Sequence, residues 1–581
     1  MTATRIQTEP TPSDRGWARS PWQPLLGAAL IVLLTLLVYR PALTGGFTLD
    51  DNLLVTDNPY VKAPGGIWQL WNIFATHNAW PMTNAIFWIE WRLWHMNPTG
   101  YHLTNLALHT AEALLLWVIL RRLALPGAFV AALIFAVHPV NVQSVAWIAQ
   151  RKNLLAMLFC LLSVLGFLET QAHATTSIRR LYLWYSFSLG SFVLAMLSKG
   201  SAAVLPFMLV GMILRLRPIA KSDLVRFLPF FVVSAVLIPV NVLFQARGGN
   251  VATHTIGFLE RLLGAGGVIW FYLYKALLPL HLSFVYPKWH IEPTRLYWWL
   301  PLLAAFVTSV LLWWYRATWS RPFLYAWSFF CIALIPVLGF TDTVFMVEQS
   351  LVADHYQHLA IVGVISLVAA GWDTWLRRSK EGLRWIPYLT AAAAVTLLIS
   401  LARQQSANYS DGIRLFHDAT EKNPDSAMAH NSYGFVLMQA GRTEEARREL
   451  ERAVEIDPGY FEAYNNLGAA LARLGQVEAA IARYEQVLGL RLDHAGAHNN
   501  LGAVLRENGR PQESIGHFEA ALRLKPELVE ARSNLGKALF QVGRISEAVE
   551  QLRQALRQRP EDEGTRLTLQ AALADQSKAA R

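Results

Sequence analysis

Eleven apolar runs, each near the roughly 20 residues that a bilayer-crossing helix needs, fill the first 403 residues and leave few folds open. They centre on 25–42, 101–120, 127–146, 153–169, 181–198, 201–216, 226–245, 297–314, 323–340, 358–376 and 385–402. A soluble core could not absorb them: 54% of the chain is hydrophobic, 16% is charged and 22 residues are Trp, values outside the range of soluble domains. The first 403 residues are therefore expected to form an all-α, polytopic membrane bundle of about eleven spans.

Charge supports this reading and excludes another. Residues 1–403 hold 29 Lys/Arg against 16 Asp/Glu, whereas residues 404–581 hold 22 against 25. The basic excess lies in short connections, at Arg121-Arg122, Arg179-Arg180, Arg215-Arg217-Lys221-Arg226, Arg316-Arg321 and Arg377-Arg378-Lys380-Arg384. Every second connection is basic, as orientation in a bilayer requires, so no nucleic-acid partner is expected. The segment 1–23, with Arg5, Arg15 and Arg19, reads as a cytoplasmic tail ahead of a retained anchor, because the first run lacks a convincing small-residue cleavage site. Cys160 and Cys331 both sit in apolar runs and read as buried thiols. The stretch 256–282 carries Glu260, Arg261 and Lys275 and reads as an interfacial or re-entrant segment. With that demotion, the loop after the first span and the C-terminal part share the extracytoplasmic side.

A second pattern begins after Arg403. Gly434, Gly468, Gly502 and Gly536 recur every 34 residues, as do Gly441, Gly475, Gly509 and Gly543. Pro424, Pro458, Pro526 and Pro560 keep the register, with Leu492 in the missing place. A 34-residue period with this grammar is the tetratricopeptide repeat. The expected division is a membrane domain over 24–403, a linker helix over 404–423, four repeats over 424–560 and a capping helix with a tail over 561–581. Asn466, Asn500 and Asn534 share one repeat position. The row resembles the asparagines with which O-GlcNAc transferase repeats grip an extended peptide, and it equally suits amides that satisfy neighbouring repeats.

The chemistry is sought at the outer ends of spans, since no P-loop, dinucleotide fingerprint, zinc-spaced Cys/His cluster or nucleophile elbow stands in a credible context. Phe47-Thr48-Leu49-Asp50-Asp51 places two carboxylates just after the first span. Arg151, Lys152, Lys199 and Lys275 break the basic-inside pattern, and cations there suit a phosphate at a lipid surface. Arg151 and Lys199 are favoured over Lys152, which stands where a headgroup anchor is also expected. A carboxylate beside cations can deprotonate an acceptor hydroxyl while the cations stabilise a departing lipid phosphate. Adjacent side chains of an extended loop face opposite ways, so one Asp would be the base and the other would hold the loop. The Trp-rich first outer loop (Trp68, Trp71, Trp80, Trp88, Trp91, Trp94) reads as an aromatic belt. His102, His109 and His138 read as hydrogen-bonded structural residues, and no metal or cofactor is expected.

The ordered series FTLDD at 47–51, YHLTNLALH at 101–109, ALIFAVHPVNVQSVAWIAQRKNLLA at 132–156, LSKG at 197–200, YLYKALLPL at 272–280 and ADHY at 353–356 resembles the transmembrane-and-tetratricopeptide protein O-mannosyltransferases and their bacterial relatives, which are GT-C-type glycosyltransferases. The resemblance implies inverting transfer of a hexose, mannose by type, from a polyprenyl-phosphate donor to Ser/Thr hydroxyls of extracytoplasmic protein. It further implies Asp50 as the base with Asp51 in support; Arg151, Lys199, Lys275 and His355 on the donor phosphate; and His138, Asp354 and Tyr356 shaping the site. Acceptor polypeptide would bind the repeats. The membrane would be the cytoplasmic (inner) membrane of a bacterium, or the endoplasmic reticulum of a eukaryote. Two positions depart from the family: Gln143 stands where relatives often carry Glu, and His355 where they often carry Arg. The rival readings are a non-catalytic membrane-anchored repeat scaffold, and a transferase acting on a lipid or glycan.

Overall fold

The computed structural model describes residues 22–72, 80–173, 177–247, 257–340 and 350–579. Arg5, Arg15 and Arg19 of the expected cytoplasmic tail lie outside them. The secondary structure of the described residues is all helix, without a strand, and they divide into two compact units, residues 1–418 and 419–581.

Seven helices of the first unit are long and apolar enough to cross a membrane: Trp22–Thr44, Pro98–Arg122, Ile148–His173, Ile178–Ser198, Lys221–Leu243, Leu296–Trp314 and Glu381–Asn408. An eighth is obtained if Ala128–Val137 and Pro139–Ala146, bent by 49°, count as one span. The bend has a local cause. Pro139 lacks the amide that would continue the ladder and pushes His138 into extended backbone (φ −73°, ψ 128°). Three of the eleven predicted spans fall short of that standard: Gly200–Leu216 and Arg321–Val337 are short apolar helices, and the third is the Ile361–Arg378 helix, which ends on Arg377 and Arg378.

The expected re-entrant segment is one unbroken helix, Phe258–Leu277. It packs closely along the next helix, since a Cβ added at Gly266 would stand 2.7 Å from the Leu302 backbone. Its 20 residues give about 30 Å of length, and Glu260, Arg261 and Lys275 set its composition apart from that of a simple span.

The second unit is built from helical hairpins: Ala427–Gln439 with Thr443–Ile456, Phe461–Arg473 with Val477–Leu490, Ala495–Glu507 with Pro511–Leu524, and Val529–Gln541 with Ile545–Gln558, closed by Glu563–Ala579. The two glycine rows explain the period. Gly441, Gly475, Gly509 and Gly543 take φ of 75–80° in the turns, a region that L side chains avoid. Gly434, Gly468, Gly502 and Gly536 let the paired helix approach, where an added Cβ would meet Leu450, Tyr484, Phe518 or Leu552 at 2.6–2.8 Å. One boundary shifts: residues 404–408 continue the last long membrane helix, Trp385–Asn408, and the separate linker helix is Gly412–Lys422.

Candidate active site

The first long helix ends in a short 3-10 turn at Arg40–Thr44, and the chain then reaches Leu49 at φ 47°, an uncommon conformation for a branched residue. The kink precedes both acids, which stand in helical backbone at the start of the next turn and not in an extended loop. Asp51 is buried and anchors the loop: its Oδ2 accepts from the Thr48 amide at 2.9 Å, and its Oδ1 accepts from the Ala149 amide at 2.6 Å. Burial raises its pKa to about 7, against the opposing pull of the Thr48 and Ala149 amides. Asp50 is exposed, and no hydrogen bond to its carboxylate is formed among the described residues.

Lys152 and Tyr356 lie within electrostatic reach of Asp50. The Lys152 ammonium lies 4.2 Å from the centre of the Trp80 ring, so Trp80 belongs to the site and not only to the aromatic belt. Trp68, in contrast, is 78% exposed, as belt residues are. Lys199 donates to Asn153 Oδ1 and lies 5.6 Å from the Tyr356 ring centre. Burial and then the Lys152 charge lower the Lys199 pKa to about 7. A cavity beside these groups is lined by Asn153, Lys199, Ser201, His355, Tyr356 and His358 and, on its apolar part, by side chains including Met157, Ala333 and Val337.

Arg151 does not join the cations. It is fully buried and ion-pairs with Glu90, while its Nε donates to Asn105 Oδ1 at 2.5 Å and its Nη2 to the Tyr101 carbonyl at 2.8 Å. A guanidinium neutralised and bonded on this many sides is a scaffold element. Against the expected preference for Arg151 over Lys152 on a donor phosphate, Arg151 lies in the packed interior on Glu90, while Lys152 lies within electrostatic reach of Asp50. The reason is helical direction, since successive residues at the start of Arg151–His173 point about 100° apart.

The Lys275 ammonium donates to the carbonyls of Leu280 and His281 at 2.7 and 3.1 Å and packs against the Tyr286 ring. The Tyr286 hydroxyl donates to Asp354 at 2.7 Å. These residues form a second polar group that fixes the loop after Phe258–Leu277. His355 is buried, and its amide and Nδ1 both meet Gln143 Oε1 at 3.0 Å. Burial, then Lys199 and Lys152, hold its pKa well below the usual value. Its ring meets Gln143, and burial with the two lysines disfavours the charged form that its expected role on a donor phosphate calls for. The two family departures, at Gln143 and His355, are thus one contact. His138 donates from Nε2 to the Ala276 carbonyl at 3.1 Å and accepts the Val140 amide at Nδ1. It pins the helix break.

In the repeats, Asn466 Nδ2 donates to Asn431 Oδ1 at 2.9 Å, Asn500 to Asn465 at 3.1 Å and Asn534 to Asn499 at 3.1 Å. Each amide reaches one repeat back, so the row forms rungs between repeats. Sequence reasoning overlooked Glu90, Asn105, Glu112, Asn153 and His358. Glu112 had a usable signal, a carboxyl inside the apolar run 101–120.

Fold and site together define an all-helical membrane protein that presents an exposed carboxylate within electrostatic reach of Lys152 and carries a tetratricopeptide array. Comparison with known proteins agrees. Residues 434–475 match a TPR repeat model, and residues 461–494 and 493–561 match tetratricopeptide repeat models. The chain is 22% identical over 460 residues to "Protein O-mannosyl-transferase F38B6.6" of Caenorhabditis elegans, an alignment that covers 75% of this chain and 63% of that protein. It is 24% identical to "Protein O-mannosyl-transferase Tmtc3" of Drosophila melanogaster (75% and 56% covered), and 34% identical over 163 residues to human "Protein O-mannosyl-transferase TMTC1" (25% and 18% covered). The motif resemblance and these relatives point to one family, the transmembrane-and-tetratricopeptide protein O-mannosyl-transferases, which the chain resembles over much of its length. The chain spans less than two thirds of the length of each of these relatives. A solved thermophilic TPR protein of Thermus thermophilus is 25% identical and covers 31% of this chain and 95% of that one, with a TM-score of 0.26.

Proposed function

We infer that the protein is a glycosyltransferase that moves a hexose, mannose on the names of its relatives, from a polyprenyl-phosphate donor to Ser/Thr hydroxyls of protein. The observation that carries this reading is the exposed Asp50 carboxylate with Lys152 within electrostatic reach of it. Asp50 takes the proton of the acceptor hydroxyl as that oxygen attacks the anomeric carbon, with inversion. Lys152 and Lys199 stabilise the charge gathering on the departing lipid phosphate, which needs no acid. The half-polar, half-apolar cavity beside Lys199 suits a phosphate joined to an isoprenoid. Asp51 and Arg151 position the loop and the cation-bearing helix.

In this reading the acid site faces the extracytoplasmic side, and the membrane is the bacterial inner membrane or the endoplasmic reticulum according to the host. The repeats hold acceptor polypeptide and raise its concentration at the site. Among the described residues nothing donates to Oδ1 of Asn466 or Asn534, and these oxygens suit the amides of an extended peptide. The test is transfer of label from polyprenyl-phosphate hexoses to Ser/Thr peptides by purified protein, with Lys152→Gln beside the wild type. Transfer that weakens in the variant is expected. A folded wild type that labels neither peptide nor glycan would leave the repeat scaffold as the account.

A further inference from the structure

The packed interior behind the candidate site holds a polar cluster that the proposed reaction does not use. His109 and Glu112 stand three residues apart on one face of Pro98–Arg122, and His358 reaches them from the far end of the turn that carries Asp354, His355 and Tyr356. All three are buried, and one ligand atom from each lies within 4.8 Å of the others. His109 Nδ1 is 3.3 Å and His358 Nε2 3.0 Å from the same oxygen, Glu112 Oε2.

The outer nitrogens fix the tautomers. His109 Nε2 faces the Ala136 carbonyl at 3.2 Å, and His358 Nδ1 faces Asn141 Oδ1 at 2.9 Å. The Asn141 amide nitrogen is itself committed to the Phe135 carbonyl at 2.8 Å, so both partners can only accept. Each outer nitrogen must therefore carry the hydrogen. In the neutral imidazoles the two inner nitrogens are then bare lone pairs, and both point at one carboxylate oxygen. A single proton on Glu112 Oε2 could satisfy only one of them. Two extra protons would place two imidazolium ions against a single carboxylate in a site closed to water, a costly arrangement.

We propose that His109, Glu112 and His358 form a structural metal site and that its occupant is zinc. Imidazoles that bind a metal through one nitrogen hold a carbonyl or amide oxygen with the other, which is the pattern here. The 3.0 and 3.3 Å separations are close to the edge of a tetrahedron with bonds of about 2.0 Å, the usual zinc distance. Two imidazoles and a carboxylate are a zinc donor set. Beside the cluster, two buried atoms have no hydrogen-bond partner among the described residues, Glu112 Oε1 and the Tyr39 hydroxyl, and the Tyr39 ring lies edge-on to His109 at 5.4 Å. One of them would supply the fourth ligand. The metal ties the turn bearing His355 and Tyr356 to the Pro98–Arg122 helix, and so fixes one wall of the cavity by a bond that hydrophobic packing does not supply.

Full-length protein purified in detergent and desalted is assayed for metals by mass spectrometry, with apparent Tm read before and after a zinc chelator and after zinc is returned. About one zinc per chain, an apparent Tm that falls with chelation and returns with zinc, and a visible absorption band on cobalt exchange are expected for a four-coordinate site. Glu112→Gln and His358→Ala should lose the metal; the wild-type readings decide the matter if those variants do not fold. His498 and His517 supply an internal control, because their Nδ1 atoms are 3.1 Å apart in the repeats. His517→Ala should leave the zinc count unchanged. A wild type that holds no zinc after loading and shows no thermal response overturns the proposal and leaves a cluster held by protons. A zinc count that falls with His517→Ala but not with His358→Ala overturns it equally.

Discussion

Arg151 distinguishes the structural account from the one that the motifs suggest. In the structure its guanidinium has no exposed surface and is held by Glu90, Asn105 and the Tyr101 carbonyl. Arg151→Met leaves the Glu90 carboxylate buried without its counter-charge, and removal of one partner of such a pair costs about 3–5 kcal/mol. For a domain of this size, at about 2 °C per kcal/mol, the apparent Tm should fall by roughly 5–10 °C. Cys160 is buried and Cys331 half-buried, so a thiol-reactive fluorogenic dye reports unfolding in detergent without an added probe. Arg151→Met with Glu90→Met removes both charges and should recover at least half of the loss. Donor KM should change little in whatever fraction remains folded. An Arg151→Met protein as stable as the wild type, but with a donor KM raised tenfold or more, would refute this reasoning and return Arg151 to the phosphate.

Lys152→Gln should lower kcat/KM for the donor by about 10- to 100-fold, the worth of a charged hydrogen bond of about 1.5–3 kcal/mol, with stability unchanged in the same dye assay. The Lys199 ammonium, brought down to about 7 by burial and Lys152, is charged below that pH and neutral above it, whereas a lipid phosphodiester stays anionic. Donor KM should therefore rise as pH increases through about 7, and Lys199→Arg should flatten the profile, because a guanidinium keeps its charge. Asp51 has a folded-state pKa raised to about 7 from 3.8. Its protonated form favours the fold, and stability should decline as pH climbs from about 4 to 7. Asp51→Asn should remove that slope. It should also cost about 1–3 kcal/mol near pH 5, because one of the two amides now meeting an oxygen of the protonated carboxyl would meet an NH2 group. Asn500→Ala removes one rung between repeats and should lower repeat stability by about 1 kcal/mol in urea unfolding.

The sequence made the architecture legible wherever a single period decided it. The 34-residue glycine rows placed the hairpins because φ near +77° and a 2.6–2.8 Å approach each demand glycine, and no tertiary contact can override that demand. Span counting was weaker. Gly200–Leu216 and Arg321–Val337 are apolar but short, and the break at His138-Pro139 turns one run into a bent pair. The motifs directed attention to Asp50, Asp51, Lys199 and Tyr356, but the alternation argument assumed an extended loop where the backbone at Asp50-Asp51 is helical. Side-chain direction was hidden. Arg151 and Lys152 are neighbours in sequence, yet one pairs with a buried glutamate and the other lies over a tryptophan within electrostatic reach of an exposed aspartate. Glu90 and Glu112 could have signalled this, since a carboxyl in apolar surroundings requires a partner. Their partners, Arg151 and His358, lie 61 and 246 residues away, and only the fold brings them together.

The central claim is that Asp50 is the base of a hexosyl transfer. It is tested most directly by incubating purified protein with radiolabelled polyprenyl-phosphate mannose and a Ser/Thr-rich peptide, comparing the wild type with Asp50→Asn and Asp51→Asn. The account predicts label on peptide for the wild type, a loss of about 100-fold or more for Asp50→Asn at unchanged thermal stability, and partial activity for Asp51→Asn. Transfer that survives Asp50→Asn and vanishes in a folded Asp51→Asn protein would contradict it.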